Sequence, residues 1–203
     1  LHKWLIWRHS CVVSELILAS SSSYRAQLLQ RFKVPFKAVN PAIDESPLDS
    51  ETAPELVLRL AIEKAQAVAS ENNRATVIGS DQVCVFDDEI CGKPHHHDIA
   101  VKQLERFSGG CIDFFTGLCV ISQSGDQQTH IDQTRVIFRT LSKHEIERYL
   151  NSEQPYDCAG AFKVESMGLS LFDAVKSDDP SALMGLPLIT TAQFLREVGY
   201  AIP

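Results

Sequence analysis

The stretch Ala75-Thr76-Val77-Ile78-Gly79-Ser80-Asp81-Gln82-Val83-Cys84-Val85-Phe86 decides the fold. Two short apolar runs, 75–79 and 83–86, flank a polar triplet, and their length and β-branched content predict buried strands. The triplet Ser80-Asp81-Gln82 then interrupts a strand pair and sets a carboxylate at a strand end, on the rim of the core. Asp87-Asp88 predicts a turn before Ile90.

Toward the N-terminus, residues 15–19 form another apolar run that ends in four serines, and residues 24–32 carry Ala26, Leu28, Leu29 and Phe32 at helical spacing. This reads as strand, serine turn, helix. A short strand is expected at 36–39 and a loop at 40–53. Pro54 suits the first turn of a long helix to about residue 70, whose apolar face is Leu56, Val57, Leu60, Ala61, Ala65 and Val68. Toward the C-terminus, a helix is predicted over 98–107. Strands at 111–122 and 130–139 form a hairpin around Ser124-Gly125-Asp126. Ser142 and Glu145 form a capping-box pattern, residues 167–175 read as a strand, and a helix closes the chain over 187–198. Strands and helices alternate and a long hairpin follows, which predicts an α/β fold with a mixed twisted sheet flanked by helices. Residues 15–203 are expected to form one domain, after an N-terminal extension at 1–14 with no assigned role.

The chain has 203 residues, 44% hydrophobic and 22% charged, and a formal net charge of −7. That composition is ordinary for a globular protein and excludes disordered and fibrous classes. A net-acidic chain lacks the broad basic face that binds a nucleic-acid polymer. No apolar run approaches the length of a membrane span. The opening apolar segment, Trp4-Leu5-Ile6-Trp7, is short for a signal peptide, so no export signal is read. Cys11, Cys84, Cys91, Cys111, Cys119 and Cys158 show no CxxC spacing and are expected to be reduced and mostly buried. Zinc at Cys91 and His95-His96-His97 is disfavoured, because contiguous histidines point in different directions.

Three segments carry possible chemistry. In Ser20-Ser21-Ser22-Ser23-Tyr24-Arg25, serine hydroxyls, helix N-terminal N–H groups and an arginine suit a phosphate, while the same residues also read as an ordinary N-cap. Asp44-Glu45, Glu63-Lys64, Asp81 and Gly92-Lys93-Pro94 supply carboxylates able to hold Mg²⁺ or Mn²⁺ and lysines able to neutralise phosphoryl oxygens. Each lysine alone also reads as a solvent-facing residue. The loop 157–168, with Cys158, small residues, Lys163 and Glu165, suits close approach of a ligand or a tight connection.

The order of these motifs resembles the Maf family of nucleoside triphosphate pyrophosphatases. The resemblance rests on Leu18-Ala19-Ser20 with Arg25, Asp44-Glu45, Glu63-Lys64-Ala65, Gly79-Ser80-Asp81-Gln82, Gly92-Lys93-Pro94, Thr116-Gly117, Ala159-Gly160-Ala161-Phe162 and Met184-Gly185-Leu186-Pro187-Leu188. It spans about residues 16–199. It implies an inosine triphosphatase-like fold with two lobes around a central cleft, and a single catalytic domain over 15–203. It implies hydrolysis between the α and β phosphates with Mg²⁺ or Mn²⁺, in the cytoplasm, by a possible homodimer acting on a small nucleotide, with no nucleic-acid polymer or membrane as partner. Asp81 matches the family's general base; Ser20, Arg25, Glu45, Lys64 and Lys93 match its pocket, with Glu45 and Asp81 as metal ligands.

Family members acting on dTTP and UTP carry Arg, Thr and Gln where this chain has Tyr24, Gln82 and Glu165. The set found here resembles the subfamily acting on 7-methyl-GTP, a nucleotide-pool cleansing activity. An aromatic ring stacks on a cationic methylated base, and Glu165 can accept from the guanine N1–H and N2–H₂ edge. Ser23 and Tyr24 replace the more usual Pro and Trp, and Ser166-Met167 departs from the usual sequence after the glutamate. A dTTP, UTP or other modified-nucleotide pyrophosphatase, and a non-catalytic nucleotide-binding regulator of cell division, are the alternatives.

Overall fold

Residues 75–86 form one strand, not two. In the computed structural model, which describes residues 14–203, β3 (Ala75–Phe86) runs unbroken with the polar triplet at its middle. The strand survives because β5 (Cys111–Ile121) pairs with it antiparallel from Val77 to Val85, so that ladder satisfies the triplet's backbone on one side. On the other side the partner changes. β1 (Glu15–Ala19) runs parallel to β3 as far as Gly79, and β4 (Glu89–Cys91) pairs antiparallel from Cys84 onward. Residues 80–83 therefore face a notch in the sheet. Asp81 sits mid-strand, not at the strand end expected from the sequence.

The seven-stranded sheet has the order β2-β1-β3-β5-β6-β7, with β4 attached to β3. β2 is Lys37–Val39, β6 is Gln127–Phe138 and β7 is Phe172–Lys176. The helices are α1 (Ser23–Gln30), α2 (Ala53–Glu71), α3 (His97–Phe107), α4 (Lys143–Glu153) and α5 (Leu188–Glu197). The mixed α/β class is as expected, and so is the capping box of α4, where Ser142 and Glu145 satisfy each other's backbone N–H groups. Asp87 and Asp88 both have positive φ, at 49° and 63°, the conformation a two-residue hairpin turn needs. The expected strand at 167–175 is shorter. Residues 167–171 form a 3₁₀ turn, tied back by Gly168 N–H to the Lys163 carbonyl at 2.9 Å.

Apolar packing divides in three. One cluster joins α3, α4 and the outer halves of β5 and β6 around Phe107, Phe114, Phe138 and Phe162. The other two cover opposite faces of the parallel half-sheet, under α1 and α5 on one side and under α2 on the other. The notch lies between the first cluster and these two, which makes two lobes. Helix α2 lies directly on the sheet because two strand residues lack a side chain: a Cβ on Gly79 would come within 2.2 Å of the Ala61 carbonyl, and one on Gly117 within 2.2 Å of the Val57 carbonyl. Asp81 and Gly117 are register partners, so this contact brings the helix down beside the carboxylate.

Of the expected extension, only Ser14 is described: its hydroxyl lies 2.7 Å from Thr76 Oγ1, and its carbonyl accepts from Tyr200 at 2.7 Å. The remainder, including Cys11, lies outside the described residues. Among the described cysteines, all unpaired, Cys84 and Cys119 are buried, Cys91 and Cys158 half-buried, and Cys111 exposed, so burial is less general than expected. No described helix is long and apolar enough to cross a membrane.

Candidate active site

The notch opens into a cleft of about 520 Å³. Ser20, Tyr24, Arg25, Glu45, Lys64, Asp81, Gln82, Lys93 and Glu165, the nine residues singled out from the sequence, all line it.

At one end, Lys64 meets two carboxylates. Its Nζ lies 2.6 Å from Asp81 Oδ1 and 2.8 Å from Glu45 Oε1. The lysine side chain is only 5% exposed, against 57% for Glu45, so the ammonium is not the solvent-facing group its residue type suggests. Lys64 sits on the buried face of α2 with Leu60, Ala61 and Val68, and its charge is tolerated there because Asp81 pairs with it. Glu45 comes from the irregular segment before α2. That segment is fastened by Arg59, which donates to both oxygens of Glu51 (2.6 and 2.9 Å) and to the Ser46 carbonyl (3.0 Å). The guanidinium holds the Glu51 carboxyl down at about 2.

The serine turn serves as a cap and as a wall. Ser22 accepts from Arg25 N–H and caps α1, as the plainer reading of the sequence has it. Yet Arg25 is half-buried, its Nε donating to the Gly185 carbonyl at 2.8 Å and its Nη1 lying 3.4 Å from Ser20 Oγ. Burial lowers its pKa, and the nearby Asp81 and Glu45 oppose that shift. Lys93 is exposed and forms no ion pair with a described residue.

The rest of the lining combines α1, β3 and the turns around 158–165. The Tyr24 hydroxyl oxygen accepts from Cys158 Sγ, 3.6 Å away. Burial, with the thiol beside it, raises the Tyr24 pKa, and burial pushes the Cys158 thiol up to about 12. Glu165 is exposed in the stretch between two 3₁₀ turns. The unusual Ser166 donates to Glu153 at 2.5 Å, and Lys163 Nζ donates to the Glu153 carbonyl at 2.7 Å, so α4 anchors the loop on both sides of Glu165. Gln82 projects from β3 on the face opposite Asp81, since successive strand side chains alternate. Its Nε2 donates to the Ala182 carbonyl (2.8 Å), the Leu183 carbonyl (3.2 Å) and Thr116 Oγ1 (3.0 Å).

The Maf-like protein family model matches residues 15–198. The chain belongs to the Maf family. Within it, the chain is 50% identical over 185 residues to a 7-methyl-GTP pyrophosphatase of Pseudoalteromonas translucida, covering 91% of this chain and 92% of that one. It is 48% identical over 198 residues to one of Burkholderia pseudomallei, covering 96% and 92%. Among solved structures, a Ham1 protein of Staphylococcus aureus superposes with a TM-score of 0.44 at 15% identity, over 61% of this chain and 71% of that one.

Set in this Maf chain, the carboxylate end has the donor chemistry of a hard divalent ion. Two carboxylates already draw one positive charge between them, and Mg²⁺ or Mn²⁺ commonly takes one or two carboxylates and completes its shell with substrate phosphates and water. No group of three or more His, Cys, Asp and Glu side chains converges among the described residues, so an all-protein cage is not what this donor set offers. The histidine run does not join Cys91: His97 bonds instead to Tyr156 (2.9 Å) and Glu147 (3.0 Å). The turn at 182–185 was legible only as part of a motif. Its carbonyls bond Arg25 and Gln82, and no residue type in it signals that role.

Proposed function

We propose that the protein hydrolyses the α–β phosphoanhydride of 7-methyl-GTP, releasing 7-methyl-GMP and pyrophosphate. One observation carries this reading: Arg25, Lys64 and Lys93, the carboxylates of Glu45 and Asp81, and Tyr24, Gln82 and Glu165 all line a single cleft. The relatives at about half identity over nearly their whole length bear the same activity in their names.

Arg25 and the two lysines bind the triphosphate and hold positive charge against its non-bridging oxygens, which gain charge as the bond to the leaving pyrophosphate lengthens. Asp81 orients a water toward the α-phosphorus and takes its proton at Oδ1 or Oδ2. Lys64, shared between Asp81 and Glu45, keeps the base aimed. A divalent ion held by Glu45 and Asp81 would supply further neutralisation of phosphate charge. At the far end the Tyr24 ring stacks on the cationic base, while Glu165 accepts from its N1–H and N2–H₂ edge.

The test is incubation with 7-methyl-GTP, GTP, dTTP and UTP in Mg²⁺ or Mn²⁺, with product separation. The expected products are 7-methyl-GMP and pyrophosphate, with 7-methyl-GTP the preferred substrate. Orthophosphate without pyrophosphate overturns the bond assignment, and preference for dTTP or UTP overturns the base assignment.

A further inference from the structure

Asp179 lies outside the cleft and is 3% exposed. Its Oδ1 accepts from Ser181 N–H (2.9 Å) and Ser181 Oγ–H (2.6 Å), and its Oδ2 from Ile189 N–H (2.6 Å). Ser181 Oγ in turn accepts from Leu188 N–H at 2.7 Å. Leu188 and Ile189 are the first two residues of α5, whose N-cap position is Pro187 and offers no side-chain acceptor. Asp179 and Ser181 thus satisfy two N-terminal N–H groups of that helix from a distance in sequence, with a negative charge at the positive end of its dipole.

The consequence falls on the residues in between. The carboxylate staples position 181 to 189, and the 3₁₀ turn Ala182–Met184 with Gly185 (φ +99°) is held inside the staple. Its carbonyls face the cleft wall. That of Gly185 receives Arg25 Nε (2.8 Å) and Ser80 Oγ (2.9 Å), and that of Ala182 receives Gln82 Nε2 and Thr116 Oγ1 (3.1 Å). Carbonyls only accept, so they force the Gln82 amide nitrogen inward, where its two hydrogens are shared among three acceptors. What Gln82 can offer a ligand is Oε1, an acceptor.

We propose that Asp179 is a positioning residue for substrate selection, which holds the turn whose carbonyls aim Arg25 and make Gln82 an acceptor only. This rests on the nucleotide-pyrophosphatase reading of the cleft and adds a condition to it. With Gln82 and Glu165 both accepting, the wall favours a base that presents N–H groups there, and disfavours one that presents lone pairs.

The test is Asp179→Asn, which keeps size but turns an NH₂ toward a backbone N–H. KM and kcat are measured for 7-methyl-GTP and for 7-methyl-ITP, which lacks the exocyclic amine. The expected result is a rise in KM for 7-methyl-GTP of about tenfold, a smaller change in kcat, and a narrowed preference over 7-methyl-ITP. In a Gln82→Met background, Asp179→Asn is expected to leave that preference where Gln82→Met alone puts it, because the two act through one path. A lowered Tm with wild-type KM and preference overturns the proposal, as does full additivity of the two changes. If Asp179→Asn does not fold, Ser181→Ala, which removes one strut of the staple, is judged by the same criteria. If the unmodified protein does not turn over 7-methyl-GTP, the substrate reading fails; Asp179 is then tested by the same KM shift and non-additivity on the best nucleotide of the panel.

Discussion

The two ends of the cleft are made of different material. At the phosphate end, Asp81 projects from the middle of a 12-residue strand and Lys64 from the buried face of a 19-residue helix. Helix α2 meets the sheet backbone to backbone, at Gly79 of β3 and at Gly117 of the neighbouring β5. At the base end, Glu165 stands exposed between two 3₁₀ turns, and the Tyr24 hydroxyl has a thiol as its polar neighbour. In the mechanism we propose, sheet and helix hold the general base in the fixed geometry that proton transfer demands, whereas turns tolerate replacement. The proposed mechanism accordingly gives rate to one end and selectivity to the other.

The hardest test of that division is Asp81→Asn. Lys64 keeps Glu45 as a partner, so the fold is expected to hold, with circular dichroism unchanged, while kcat falls by about 10²–10⁴-fold on every nucleotide of the panel. A loss confined to one nucleotide would break the comparison.

A pair of glycines sharpens it. A Cβ at Gly117 would meet the Val57 carbonyl at 2.2 Å, and one at Gly168 would meet the Lys163 carbonyl at 2.3 Å. Gly117→Ala lifts α2 from the sheet. It is expected to cost about 2–3 kcal/mol, a fall in Tm of about 4–12 °C for a domain of this size, together with a loss of kcat as Lys64 leaves Asp81. Gly168→Ala strains only the loop before β7. Its expected signature is a raised KM and weakened base preference, with kcat retained. Calorimetry and a two-substrate kinetic comparison read both.

The same contrast explains what the sequence reveals. Periodicity places the buried face of α2, and Lys64 falls on that apolar stripe, three residues after Ala61 and four before Val68; a lysine in that register signals a buried partner. The triplet in β3 misleads, since composition alone cannot show that β5 supplies the missing ladder or that the partner on the other edge changes from β1 to β4. The base end is least legible. Its geometry depends on carbonyls of residues 182–185 and on bonds from α4 to Lys163 and Ser166, and neither leaves a pattern of residue types. Motif order brought all nine residues to one cleft, but not the alternation that sends Asp81 and Gln82 to opposite faces of β3.

Glu165→Gln is the milder probe of the base end. Hydrogen bonds to a charged acceptor contribute about 1.5–3 kcal/mol, so preference for 7-methyl-GTP over dTTP is expected to fall by about tenfold to a hundredfold. Because Glu165 has no contact with Lys64 or Asp81, hydrolysis of dTTP should change little. Equal losses on both nucleotides would mean that Glu165 serves the chemistry, and the division of labour would not stand.

The smallest effect is a difference between two thiols. Cys91, register partner of Cys84 and two residues before Lys93, has its pKa lowered to about 7 by the Cys84 thiol donating to it, with Arg106 adding to the shift. Cys158, beside Tyr24, is pushed up to about 12 by burial. Alkylation requires the thiolate. A lowered pKa places the rise in Cys91 reactivity between pH 6 and 8 and levels it above, while Cys158 reactivity should still be climbing at pH 9. Iodoacetamide labelling followed by peptide mass analysis measures both profiles. A Cys158 profile that levels below pH 9 would show its thiol, and with it the neighbouring Tyr24 hydroxyl, to be hydrated.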